Sequence, residues 1–176
     1  MKPQAILQID KNPSSVLRLQ ARAVTQEEFG SPLLRDVIRD MQDALKKEED
    51  GVALAAPQIG ISLRIFVVAS SSYEPGAKDT PLVFINPKII KHSKKRVTMQ
   101  EGCLSVRWIY GKTYRYTQAT VEAYDVEGRK FTFGGSGLIA HIFQHEIDHL
   151  DGILFIDHGF DLEEYTEEDI KKNNKK

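Results

Sequence analysis

Apolar positions recur along this chain with two periods, and the switches between them mark out helices and strands. Ser31-Pro32 reads as an N-cap and first helical residue. Leu33, Leu34, Val37, Ile38, Met41, Ala44 and Leu45 then follow with helical spacing up to a stop at Gly51, an amphipathic helix. Its other face carries Arg39, Asp43 and Lys47 at four-residue steps, a solvated stripe. The same period returns at Leu138, Ile139, Ile142 and Phe143 and runs to Leu150, which predicts a second, buried helix closed by Gly152. Gly134-Gly135-Ser136 should supply a flexible link and an N-cap for it.

Strands are expected at Ala5 to Ile9, Arg64 to Ala69, Leu82 to Ile85 and Lys88 to Ile90, the last two broken at Asn86-Pro87. Ala119, Val121 and Ala123 alternate with Thr120, Glu122 and Tyr124, and Asp125-Val126-Glu127-Gly128 turns that strand back into Phe131 and Phe133 as a hairpin. Asn12 to Ser15 is a turn that starts a short helix through Val16 and Leu17. The Pro and Gly of Val52 to Gly60 place that run in a tight loop, and Ser70 to Asp79 is a polar loop. Lys91, Lys94, Lys95 and Arg96 read as a solvated hairpin tip, Leu162 to Ile170 as a short acidic helix, and Lys171 to Lys176 as a frayed tail. The class is α+β: antiparallel β-sheets packed around a buried C-terminal helix, with an N-terminal amphipathic helix. One domain spanning residues 1–176 is expected, its last stretch from about residue 161 peripheral.

Composition narrows the function. The net charge is −1, so no global basic field points to direct nucleic-acid binding, and the longest apolar run is far short of a membrane span. The N-terminus lacks the apolar core of a secretory signal, and a lone thiol, Cys103, supports no intrachain disulfide; both favour the cytoplasm.

The second helix carries the chemistry. His145 and His149 are four residues apart, on one helical face, where two imidazoles can close on one ion, and Glu146 sits beside them as a carboxylate able to take a proton from water. Burying these groups without partners would be costly. A catalytic site of this type needs a third protein ligand, and four candidates arise. Phe155 stands where one known pattern puts a third histidine. Glu163, Glu164, Glu167 and Glu168 are available downstream but look like a solvated helix. His141, one turn before His145, is better suited to lining a pocket or hydrogen bonding, because a straight helix does not wrap three turns around one small ion. Cys103 offers a thiolate, with Gly102 beside it allowing close backbone approach.

Three segments, Gly51 to Gln58, Glu101 to Ser105 and Gln144 to His149, together resemble the signature motifs of the peptide deformylases. The likeness extends over nearly the whole chain. It implies a divalent metal, commonly Fe2+ with Zn2+, Ni2+ or Co2+ as substitutes, held by Cys103, His145 and His149 with water as fourth ligand. It also implies Glu146 as general acid and base, and the Gln58 side-chain amide with the Leu104 backbone N–H as oxyanion donors. The implied substrate is an N-formylmethionyl nascent peptide, paired by its backbone along the first and second motifs, including Ala53 and Gly102. Its methionine would enter an apolar pocket of Val52, Met99, Leu138, His141 and Ile142. A transient ribosome contact through Lys171 to Lys176 is a further expectation, and Glu101 with Arg115 resembles a structural ion pair of the family.

Two positions depart from the family pattern: Ala53 replaces a usual Gly, and Arg107, followed by Trp108, replaces a usual Pro. Two other readings compete with the amidase. One is a general H-E-x-x-H endopeptidase using a C-terminal glutamate as ligand, and the other is a catalytically silent binder of formyl peptides.

Overall fold

Ser31 and Pro32 start the first helix as the pattern predicts. The Ser31 hydroxyl accepts the Leu34 N–H at 3.2 Å, and α1 spans Pro32–Leu45. The computed structural model describes residues 5–9, 16–73 and 82–166. Among these, α1 buries Leu34, Val37, Ile38, Met41, Ala44 and Leu45.

Among the described residues, eight strands follow the first helix in two antiparallel sheets. One sheet runs in the order β1 (Ala53–Ala55), β2 (Ile65–Val68), β3 (Leu82–His92), β6 (Gln118–Tyr124) and β7 (Lys130–Ser136). The other runs β4 (Arg96–Cys103), β5 (Val106–Tyr116) and β8 (Phe160–Glu164). The second helix, α2, is Leu138–Leu150. Every residue of β2 is buried because the five-stranded sheet is covered on both sides. Ile65 and Val67 join Leu54, Ile85 and the apolar stripe of α1. Phe66 and Val68 face the other way, into a cluster with Phe84, Val121 and Phe143 of α2. Phe84 stacks on Phe66 at 4.6 Å and meets Phe143 edge-on at 5.3 Å. Each such fully buried side chain contributes about 1.5–3 kcal/mol, which wedges α2 against the sheet by the face opposite its histidines.

The α+β class therefore holds, while several elements differ from the pattern-based expectation. Ala5 to Ile9 forms no strand; it makes isolated backbone bonds from Leu7 N–H to Gln58 O (2.8 Å) and from Ile9 N–H to Ser105 O (3.0 Å). The run Val52 to Gly60 is not a loop. Ala53–Ala55 pairs with β2, and Ala56–Ile59 is a 3-10 helix ending at Gly60 with φ 84°. Asn86-Pro87 bends β3 without ending it: Asn86 takes φ 50° at a register shift, and its amide bonds the backbone of Val24 twice at 2.8 Å. The basic stretch from Lys91 to Arg96 is a crossover between the two sheets instead of a hairpin tip. Phe160–Glu164 is a strand paired to β5, where an acidic helix was expected from Leu162; residues 167–176, including the basic tail, lie outside those described.

Gly134, Gly135 and Ser136 are also not a flexible link but part of β7, and α2 starts from Gly137 without a side-chain cap. The glycine at 135 is required by packing, since a Cβ there would lie 2.1 Å from the Ile139 side chain in the first turn of α2. Gly135→Ala should lower stability by about 1–3 kcal/mol, as overpacking does. A thermal melt coincident with the parent's would disprove that account.

Candidate metal centre

Two elements bring the chemistry together. α2 presents His145 and His149 from adjacent turns, with ring centroids 4.9 Å apart, and buries Glu146 beside them. β4 ends at a register shift between Gly102 and Cys103, and such an irregularity re-aims the side chain that follows it. Gly102 has to be small: a Cβ there would lie 2.8 Å from the Tyr110 ring. The Cys103 Sγ then sits 3.1 Å from His149 Nε2. The ligand atoms of Cys103, His145 and His149 lie within 4.8 Å of one another. A tetrahedral ion with bonds of about 2.0–2.3 Å sets its donors roughly 3.3–3.6 Å apart, so small adjustments close this set on one cation.

Electrostatics favour a cation there as well. Burial pushes the Cys103 thiol up, but the adjacent His149 and His145 hold it down at about 5, giving the thiolate that metals bind. Burial likewise opposes charge on His145, yet Cys103 and Glu101 hold its imidazole well above the ordinary histidine range. Burial raises the Glu146 carboxyl to about 7 against the pull of His145 and His149. Its Oε2 has no partner among the described residues, although it is buried.

Glu101 organises the surroundings. Its side chain is 1 % exposed, and burial alone would raise its pKa. Contacts from His141, His145 and Arg115 instead hold it well below the usual carboxylate range. Its oxygens accept from Arg115 Nη2 (2.6 Å) and Nε (3.0 Å), His141 Nε2 (2.8 Å), His145 Nδ1 (2.6 Å) and the Thr113 hydroxyl. Because a carboxylate only accepts, the proton of neutral His145 sits on Nδ1, leaving Nε2 free to ligate. Arg115 also reaches Asp148 at 2.7 Å. Gln58, 2 % exposed, is oriented similarly: its Oε1 accepts the Ala55 N–H at 2.8 Å, which turns its NH2 toward Ser105 Oγ (3.2 Å) and Cys103 Sγ (3.7 Å).

A cavity of about 380 Å³ opens onto this cluster. Val52, Ala53, Gln58, Gly102, Cys103, Leu104, Leu138, His141, Ile142, His145 and Glu146 all line it. His149 lies behind, against the sulfur. Met99 does not line the cavity; it sits two residues along β4 beyond Glu101, past the end of the wall. Arg107 and Trp108, the pair that departs from the family pattern, line it too, and Ile109 and Tyr110 add wall that no motif pointed to. Glu101 and Arg115 do form an ion pair, at 2.6 Å, whereas Ser105 and Gln144 stand inside the motifs with no role legible from the sequence. Gln144 ties α2 to β5, accepting the Tyr116 N–H at 2.9 Å and donating to its carbonyl at 3.1 Å. Glu163 and Glu164 lie exposed on β8 and are not part of the ligand cluster.

Two imidazoles and a thiolate around one point, with a buried carboxylate alongside, are a donor set of the kind metal-dependent hydrolases use. The family model described as polypeptide deformylase matches residues 5–165, and the chain belongs to that family. It is 40% identical over 153 residues to peptide deformylase 2 of Clostridium acetobutylicum, covering 87% of this chain and 95% of that one. Peptide deformylase 1 of Vibrio vulnificus is 39% identical over 172 residues, 97% of each chain. Among solved structures, the Met-Ala-Ser-bound class I type b peptide deformylase of Acinetobacter baumannii superimposes with a TM-score of 0.78 at 31% identity, covering 90% of this chain and all of the other. No helix among the described residues is long and apolar enough to cross a membrane.

Proposed function

We propose that this chain removes the formyl group from N-formylmethionyl peptides, with Cys103, His145 and His149 holding one divalent ion. The observation that carries this reading is the meeting of Cys103, His145 and His149 beside the buried Oε2 of Glu146, which has no partner among the described residues, at a cavity of about 380 Å³. When bound, the ion supplies Lewis acidity, polarising a carbonyl and acidifying water to a pKa near about 7. The protein does the rest. Glu146 takes a proton from water at its Oε2 as the water oxygen adds to the formyl carbon, and returns one to the departing amine nitrogen as the C–N bond breaks, leaving formate and a free amino terminus. The Gln58 amide and the Leu104 N–H meet the oxyanion, and one such donor contributes about 2.7–4 kcal/mol.

The topology supports backbone recognition. Among the described residues, β1 and β4 each pair on one side only, and both edges border the cavity at Ala53 and Gln100 to Cys103. An extended peptide can add its main chain to such edges. The methionine side chain is assigned to the apolar part near Val52, Leu138, His141 and Ile142. Fe2+ is the proposed native ion; Zn2+, Ni2+ or Co2+ also suit a Cys-His-His donor set. A thiolate ligand fits a reducing compartment such as the cytoplasm.

The test is direct. Metal-loaded protein should release one formate for each Met-Ala-Ser formed from formyl-Met-Ala-Ser. Binding without formate release, at any metal loading, would overturn this reading in favour of a silent peptide-binding homologue.

A further inference from the structure

The two cavity walls are tied together differently at their inner and outer ends. Inside, Gln58 bonds Ser105 at 3.2 Å, and the 5–9 segment bridges Gln58 and Ser105 through its backbone. At the mouth the tie is ionic. Three residues of β5, Arg107 to Ile109, bulge between the Cys103–Val106 and Gly102–Tyr110 pairings, with Trp108 at φ 67°. The bulge carries the Arg107 guanidinium across to the segment between α1 and β1, where Nη2 pairs with Glu48 and Nη1 with Asp50 at 3.1 Å. Arg107 and Glu48 are 23% and 27% exposed, so the pair is partly shielded from solvent. Gln8 steadies the same corner, donating to Leu104 O at 2.8 Å and accepting the Arg107 N–H at 3.4 Å.

We infer that Arg107 is a positioning residue for the peptide substrate: by gripping Glu48 and Asp50 it sets the spacing between the β1 and β4 edges at the mouth. This rests on the reading of the cavity as a peptide cleft. A guest strand seated between two strand edges needs them about 9–10 Å apart, twice the strand spacing, so a loosened mouth forfeits hydrogen bonds to one wall. The effect is confined to the chain beyond the methionine, because the inner end stays tied by Gln58 and Ser105.

Trp108 is the single tryptophan of the chain and lines the cavity, so its fluorescence reports occupancy directly. Titrating Met-Ala-Ser into metal-loaded protein should give a Kd that is weakened roughly tenfold in Arg107→Ala, short of the ~100-fold that a 1 Å misplacement can cost. Arg107→Lys should recover part of the loss, and Glu48→Gln should reproduce part of it from the opposite wall. In turnover, KM for formyl-Met-Ala-Ser rises with kcat little changed, while formyl-methioninamide, which lacks the downstream chain, is unaffected. Equal Kd in wild type and Arg107→Ala, or equal losses on both substrates, overturns the clamp. If the wild type itself fails to bind Met-Ala-Ser the clamp falls too, and formate release then shows whether the amidase reading falls with it.

Discussion

Replacing Glu146 by glutamine should cut formate release by about 10²–10⁴-fold, the range spanned by a positioned general acid–base, while the ion stays bound. The substitution keeps the volume of a fully packed side chain and removes its capacity to carry a proton. Because neither oxygen of Glu146 belongs to the ligand cluster, elemental analysis should find the metal undiminished. Burial raises the Glu146 carboxyl to about 7, so its neutral form is tolerated where it stands, and the glutamine variant should fold normally. Turnover within about fivefold of the parent, with metal retained, would remove Glu146 from the mechanism, since acid–base catalysis is worth far more.

The second large effect is expected at Glu101. Glu101→Gln turns one acceptor oxygen into an NH2 group facing donors from Arg115, His141 or His145. Breaking a buried ion pair from one side costs about 3–5 kcal/mol. Losing the acceptor that orients a ligand histidine typically weakens metal binding about 10–100-fold. Both should appear together, in denaturant titrations and in competition with a chelator. The pH dependence has a definite sign. The folded-state pKa of Glu101 is depressed, so its contribution is fully present above the unfolded carboxylate pKa of about 4.3 and is lost as pH falls below it. The gap between wild type and variant should therefore be widest at neutral pH and narrow on acidification. A chelator competition curve identical to the wild type's would show that His145 needs no help from this carboxylate.

Local signals that decide structure by themselves were legible in the sequence. The Ser31-Pro32 cap and the apolar stripe behind it specify α1, and the spacing of His145, Glu146 and His149 specifies the working face of α2. Where partners far along the chain decide, the sequence was mute. Ala53 to Ala55 have little strand preference, yet they are held as a strand by pairing with Phe66 to Val68 and by burial on both faces. Phe160 to Glu164 are acidic enough for a solvated helix, but pairing with Ile109 to Lys112 and the 3.0 Å contact of Lys112 with Asp161 keep them extended. No local pattern links Cys103 to residues more than forty positions away, so only the three motifs taken together point to it as their partner. The Arg107, Glu48 and Asp50 clamp is invisible for the same reason, as three ordinary charges until the bulge in β5 aims one at the other two.

The open edges of β1 and β4 have a consequence for breadth of use. As proposed, the groove grasps its guest by amide and carbonyl groups, which every residue shares, and would be indifferent to most of what distinguishes one newly made protein from another. Selectivity would then concentrate at the first residue and its blocking group, letting one small catalyst serve a whole proteome.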